Sequence, residues 1–224
     1  MPTSPLPLVF TVSSRGQPSP CPASHPSTGS LASRLTSMEV RISFKDQVLA
    51  RYANQMGALG EGKANLGLSR ALVRTGKKAR TRVIRALVPQ TGLKRATIAK
   101  AVREVRGDVG SLSFVLRTQG GNVRLKYFKA RETRAGVSAA PWNVRQVYAG
   151  TFMKAGWWRS GRVVKPNWNG QVFRRVGNKF EVVRSGLFIP EEMLKGQSAA
   201  AWQSVIDSEF ERDVAHELGR LLPG

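Results

Sequence analysis

The chain has 224 residues, 41% of them hydrophobic, so it is long enough for one ordinary domain with a real core. Its 36 lysines and arginines outnumber its 14 aspartates and glutamates, and a formal net charge of +22 predicts a negatively charged partner. A single cysteine excludes a disulfide framework and a cysteine zinc site, and no apolar run reaches the roughly 20 residues of a membrane helix.

The charge is unevenly distributed along the chain. Residues 181–224 hold eight acids and four bases, a net charge of −4, which leaves 32 bases and six acids, or +26, in residues 1–180. A basic body followed by an acidic segment favours self-assembly as much as nucleic-acid binding, because the segment of one copy can meet the body of the next.

Residues 1–37 differ in composition from the rest of the chain. They contain seven of the 12 prolines, nine serines and no acid, and they hold both Cys21 and His25. Such a composition offers little to bury, so two interpretations stay open: a disordered arm, or a protein whose translation starts at Met38. The apolar run after Leu6 is interrupted by Pro7 and has no basic residue before it, which argues against a signal peptide.

Apolar residues at helical spacing predict a basic helix from about residue 65 to 88, ended by Pro89. A Gln90-Thr-Gly92 turn and a second helix over about 93–105 follow, and a short helix over 45–56 precedes them. A helix over about 198–222 closes the chain.

Between these helices the hydrophobic period changes to two. This predicts a hairpin of strands 112–116 and 123–127, and a second hairpin over 171–184 around Gly177-Asn178. The expected fold is α+β: a small antiparallel sheet of hairpins on a long basic helix, with a C-terminal amphipathic helix. The predicted domain is 38–224, with a helical part (38–106), a β part (111–189) and a terminal helix (190–224).

Two motifs resemble nucleotide or DNA sites. Gly57–Ala64 nearly spells a phosphate-binding loop, but its last position lacks the hydroxyl that binds magnesium, so a glycine linker between helices is preferred. The helix, turn and basic helix around Pro89 loosely match a helix-turn-helix, although lysine and arginine alone give phosphate affinity rather than base reading.

No spacing of histidines, nucleophiles or paired carboxylates predicts a catalytic site, so we expect no enzyme, no cofactor and no metal. The candidate contacts to nucleic acid or an acidic partner are nine bases: Arg70, Arg74, Lys77, Lys78, Arg82, Lys94, Arg95, Lys100 and Arg103. The candidate subunit interface combines aromatic and acidic residues: Trp157, Trp158, Trp202, Asp207, Phe210 and Glu211.

Several segments together resemble the minor tail protein Z family of long-tailed bacteriophages and prophages. They are Arg82–Arg106, Arg124–Arg131, Gly150–Met153, Asn169–Asn178 and the Pro190 link into the last helix. The resemblance covers roughly residues 39–222, and the proline- and serine-rich front end departs from the family pattern.

The resemblance implies a tail-completion protein without catalysis, acting at the head-proximal end of the tail and in head–tail joining. Its expected partners are tail and connector proteins, further copies in a homo-oligomeric ring, and DNA in the tail lumen, with no membrane involved. Its expected location is the virion tail, and the host cytoplasm during assembly. The alternative is a sequence-tolerant nucleic-acid-binding protein that uses the helix-turn-helix-like segment.

Overall fold

A computed structural model describes residues 36–43, 52–107, 112–156 and 161–222. The predictions for Cys21, His25, Trp157 and Trp158 lie outside these residues, as do those for residues 1–35. The described residues have an α+β fold, in which small antiparallel sheets pack with a long basic helix and a C-terminal helix.

The first sheet has three antiparallel strands in the order β1–β3–β2. They are β1 (Thr36–Ser43), β2 (Val102–Arg106) and β3 (Ser113–Gly120). Alternate residues point to the core, as a half-buried strand requires: Val40 and Ile42 are buried on β1, and Phe114, Leu116 and Thr118 on β3. One face of this sheet therefore covers the helical part of the chain.

Between β1 and β2 the structure describes three helices: α1 (Ala53–Leu59), α2 (Glu61–Thr91) and α3 (Arg95–Ala101). The long basic helix α2 crosses the sheet at Gly76, where an added Cβ would lie 2.4 Å from the ring of Phe114. Only a residue without a side chain allows this approach.

The prediction that Pro89 ends the basic helix is wrong, because α2 continues to Thr91 and ends at Gly92. Gly92 takes the left-handed conformation at φ 75° and its N–H donates to Val88 O. Pro89 removes one helical hydrogen bond, and neighbouring groups hold the turn: Asn143 Nδ2 donates to Pro89 O at 2.6 Å, and Thr91 Oγ1 donates to Leu87 O at 2.7 Å.

The second predicted helix is also corrected. Only Arg95–Ala101 is helical, and the chain then continues directly into β2. The apolar residues Val102 and Val105 fit a helix or a strand equally well. They form a strand because this segment pairs with β3. The predicted short helix over 45–56 lies mostly outside the described residues, and α1 overlaps only its last four positions, 53–56.

The first predicted hairpin is wrong because β3 pairs with β1 and β2, not with residues 123–127. The latter segment makes a 3₁₀ turn at Leu125–Tyr127, which buries Leu125 and Phe128 completely. Two apolar residues three positions apart suit such a turn better than a strand.

Two smaller sheets follow. One is formed by β4 (Arg131–Thr133), β5 (Gly136–Ala139) and β6 (Gln146–Ala149), and the other by β7 (Thr151–Phe152), β8 (Phe173–Val176) and β9 (Lys179–Val182). The prediction of a hairpin around Gly177-Asn178 is confirmed, since β8 and β9 pair across this turn.

The chain ends in α4 (Ile189–Met193) and α5 (Gly196–Gly219), and the predicted terminal helix is confirmed. Helix α5 packs along α2, where Gly67 leaves room for Leu218 and Leu221. The apolar face of the terminal helix is thus buried within the chain.

Candidate interaction surfaces

A network of charged residues joins α2 to α5. Asp213 is buried and accepts hydrogen bonds from Thr75 Oγ1 at 2.8 Å and from Lys78 Nζ at 2.9 Å. Arg74 reaches both Asp213 and Glu217, each at 3.4 Å. A carboxylate in a helix interface is stable only with such partners, so the acids of α5 neutralise part of the positive charge of α2.

The edge of this network shifts two pKa values. Burial lowers the pKa of Lys78, but its hydrogen bonds to Glu209 and Asp213 outweigh the burial and raise it. The hydrogen bond from Lys78, 2.8 Å from Glu209 Oε2, in turn lowers the pKa of Glu209. Arg212, one turn further along α5, also pairs with Glu209.

These contacts revise the candidate interface on the terminal helix. Trp202 and Phe210 are buried in the chain's own core, 2% and 7% exposed, so neither is available to a second subunit. The prediction that they form a subunit interface is corrected, because their side chains fill the space between α5 and the rest of the chain. Asp207 and Glu211 are exposed, and Gln203 donates a hydrogen bond to Asp207.

Next to this network, α2 also carries exposed bases. Lys63, Arg70, Lys77 and Arg85 are seven or eight residues apart, a spacing that places them on one face of a helix. We call these four residues the outer strip of α2. None of them forms a salt bridge with a described residue, and the strip runs for about 33 Å at 1.5 Å per residue.

The nine predicted contact bases fall into separate groups. Arg70, Arg74 and Lys77 line one surface groove, Lys78 and Arg82 line a second beside α5, and Lys100 and Arg103 line a third. Lys94 and Arg95 are exposed at the start of α3. Arg74 and Lys78 are the two that also hold α5 in place.

The helix-turn-helix-like segment differs from the expected one. Its second helix has only seven residues, and Arg80 donates to the carbonyls of Ala99 and Val102 at the end of that helix. Lys100 lies in the last turn of α3 and Arg103 on strand β2, so the predicted basic face is divided between two elements.

The near match to a phosphate-binding loop is helical. Gly57–Leu59 end α1, Gly60 links the helices, and Gly62–Ala64 lie in the first turn of α2. This agrees with the preferred interpretation, a glycine linker between helices.

An aromatic cluster, not anticipated as a site, lies on the sheet β7–β9. Phe152, Trp168, Phe173 and Phe180 have ring centroids 5.1 to 6.4 Å apart and tilted or edge-on rings. The signal was present in the second hairpin, because Phe173 and Phe180 fall on the same face once the turn is fixed at Gly177-Asn178.

A nearly buried ion pair supports the loop beside this sheet. The Glu132 carboxylate pairs with Arg162 and also accepts from the backbone N–H groups of Met153 and Lys154, at 3.0 and 2.8 Å. Arg162 donates to Lys154 O at 2.7 Å. Nothing in the sequence spacing of residues 132 and 162 pointed to this pair.

Among the described residues, no three histidines, cysteines, aspartates or glutamates are grouped as metal ligands would be. No helix in the described ranges is both long and apolar enough to span a membrane. No protein-family model matches the chain, and no curated protein or solved structure is significantly similar to it.

Proposed function

We propose that this chain is a structural protein of a bacteriophage or prophage tail. It acts in tail completion at the head-proximal end and in joining the tail to the capsid, and it has no catalytic role. The proposal is supported by the resemblance to the minor tail protein Z family, whose segments are spread over α2, α3, β2, the two small sheets and the link to α5.

One structural observation carries the proposal further. The acids of α5 turn inward onto α2 at Asp213 and Glu217, while the outer strip of α2 stays exposed and unpaired with described residues. The protein therefore presents uncompensated positive charge along a rigid helix, which suits a ring that contacts DNA or acidic connector proteins.

The proposal is tested by deleting the gene from the phage or induced prophage and counting particles by electron microscopy. We expect filled heads and separate tails without the protein, and joined infectious particles when the wild-type gene is supplied. Joined, fully infectious particles in its absence would contradict the proposal.

Charge reversal then tests the outer strip. Arg70, Lys77 and Arg85 are each changed to Glu, and the matched control reverses three exposed bases elsewhere: Arg131, Arg134 and Lys154. We expect the first triple variant to lose head–tail joining and the control to retain it. Equal activity of the two variants would show that the strip has no part in joining.

The second candidate function is sequence-tolerant nucleic-acid binding, and the outer strip is the observation that favours it. Lysine and arginine side chains that contact phosphates supply affinity that does not depend on the nucleotide sequence. Changing Arg70, Lys77 and Arg85 to Gln should therefore reduce the slope of log affinity against log salt by about 3, about one unit for each lost phosphate contact. A sequence preference of about a hundredfold would instead indicate base reading.

A further inference from the structure

The sheet β7–β9 has one aromatic face and one polar face. The pairs Phe173–Val182 and Arg175–Phe180, together with Phe152 opposite Phe173, place these five side chains on one face. Trp168, in the turn before β8, contacts the same rings.

The aromatic face is not covered by the described chain. Phe180 is 56% exposed, and Phe152, Trp168, Phe173 and Val182 are each only partly buried. Aromatic residues dominate the energy of protein interfaces when they are desolvated by a partner, and a solvent-facing cluster of four in contact with each other is unusual for a monomer surface.

The charged side chain on this face and the one beside Trp168 are both positive. Arg175 shares the face with Phe180, and Lys126 Nζ is 3.4 Å from Asn169 O, next to Trp168. The one acid on these three strands, Glu181, is opposite Arg174 on the other face. The face therefore combines apolar rings with positive charge and has no carboxylate of its own from the sheet.

The ring geometry selects among partners. Bases of a single-stranded nucleic acid stack on flat, open ring faces, whereas these rings lie at 57° to 81° to one another in four of their contacts, and edges and faces alternate. An irregular apolar surface of this kind fits an aliphatic or aromatic side chain inserted between rings. In a second copy, Asp213 and Glu217 of α5 are buried against α2, and its remaining exposed acids make self-association a separate outcome of the test.

We propose that the aromatic face of β7–β9 binds a protein segment in which apolar anchor residues are flanked by aspartates or glutamates. The anchor packs on Phe152, Trp168, Phe173 and Phe180, and the carboxylates pair with Arg175 and its neighbouring bases. This inference goes beyond the proposed function, and neither its argument nor its test depends on a role in phage tails.

The test is fluorescence anisotropy of the purified full chain with three labelled 12-residue probes. The first peptide has two phenylalanines flanked by aspartates and glutamates, the second has alanines in place of the phenylalanines, and the third probe is a 12-nucleotide oligothymidine. The second peptide separates anchored binding from general attraction to a chain of net charge +22.

We expect the phenylalanine peptide to bind at least tenfold more tightly than the alanine peptide, and Phe180→Ala to remove that difference. Phe180 is exposed, so its loss should leave the thermal midpoint almost unchanged, and Val147→Ala, an exposed apolar residue on β6, is the matched control. Arg175→Glu should lower the affinity for the phenylalanine peptide at least tenfold. Arg134→Glu, on the turn after β4, should change that affinity less than twofold.

Three results would overturn the inference. Equal binding of the two peptides would mean charge attraction alone. Oligothymidine binding that is lost with Phe180→Ala would make the face a nucleic-acid platform. Self-association of the chain that is lost with Phe180→Ala would assign the face to a second copy.

Discussion

Asp213 is the residue on which the contact between α2 and α5 depends most. Both of its carboxylate oxygens are used, by Thr75, Lys78 and Arg74, and its side chain is 3% exposed. Removing the acid leaves the buried Thr75 hydroxyl without its acceptor and takes one of two acidic partners from Lys78, which keeps Glu209.

We expect Asp213→Asn to lower the free energy of unfolding by about 1–3 kcal/mol, the cost of leaving buried donors poorly satisfied. Urea denaturation measures this, and Asp207→Asn on the exposed side of the same helix is the control. The control should stay within about 0.5 kcal/mol of the wild type. If the two variants are equally stable, the network does not hold the helices together.

The lowered pKa of Glu209 predicts a pH dependence. A carboxyl group whose pKa is lowered by folding stabilises the protein above its ordinary pKa, 4.5, and that contribution is lost as the pH falls through the folded value. The difference in unfolding free energy between wild type and Glu209→Gln should therefore be constant near neutral pH and shrink below pH 4.5. A difference that persists unchanged in acid would rule out this ion pair as its source.

The contribution of Lys78 to stability depends on pH in the opposite direction. Its pKa is raised on folding, so its contribution is complete below the ordinary lysine pKa and is lost as the pH rises through the folded value. The ion pair between Lys78 and Glu209 is thus fully charged across the neutral range.

At the scale of elements, the crossing of α2 over the first sheet depends on one glycine. Gly76 faces the ring of Phe114, which is completely buried and has no room to move aside. Gly62, in the first turn of the same helix, has open space around its Cα.

We expect Gly76→Ala to destabilise the fold by at least about 1–3 kcal/mol, the usual cost of overpacking. Gly62→Ala should instead be neutral or stabilising by up to about 1 kcal/mol, since alanine is the better helix former. Thermal denaturation of the two variants compares them directly. Equal effects would contradict the close packing of α2 on β3.

The sequence predicted helices more reliably than strand partners. The apolar spacing of α2 and α5 was long enough to be unambiguous, and the Gly177-Asn178 turn fixed the second hairpin. Strand β3 was recognised by its alternation, but alternation does not identify a partner. Its neighbours β1 and β2 come from earlier in the chain. Strand β1 begins two residues before residue 38, where the predicted domain starts.

The candidate site residues also divide into those that local spacing predicts and those that depend on distant contacts. Exposed bases on α2 follow from helical spacing, so Arg70, Lys77 and Arg82 were correctly placed on its surface. Burial of Trp202 and the pair Glu132–Arg162 depend on contacts distant in sequence, which no local pattern encodes.

At the scale of the whole molecule, β1 is the first element that the structure describes. It starts at Thr36, and its residues pair with the full length of β3. We therefore expect removal of residues 1–35 to leave the thermal midpoint unchanged, whereas removal of residues 1–43 should lower it strongly or prevent folding, because Val40 and Ile42 leave the core.

Limited proteolysis followed by mass spectrometry provides the measurement, together with melting curves of both truncated proteins. A stable fragment that begins after Ser43, or a loss of stability on removing residues 1–35 alone, would contradict the expected boundary.

The pairing of α2 with α5 has a consequence for synthesis. The hydrogen-bonded partners are 131 to 143 residues apart in the chain. At about 5–20 residues per second, a ribosome completes α5 roughly 7–29 s after the matching part of α2. For that interval the nascent chain carries Arg74 and Lys78 without their acids and an open groove at Gly67 and Ala71. It is then at its most vulnerable to aggregation and to capture by polyanions such as ribosomal RNA.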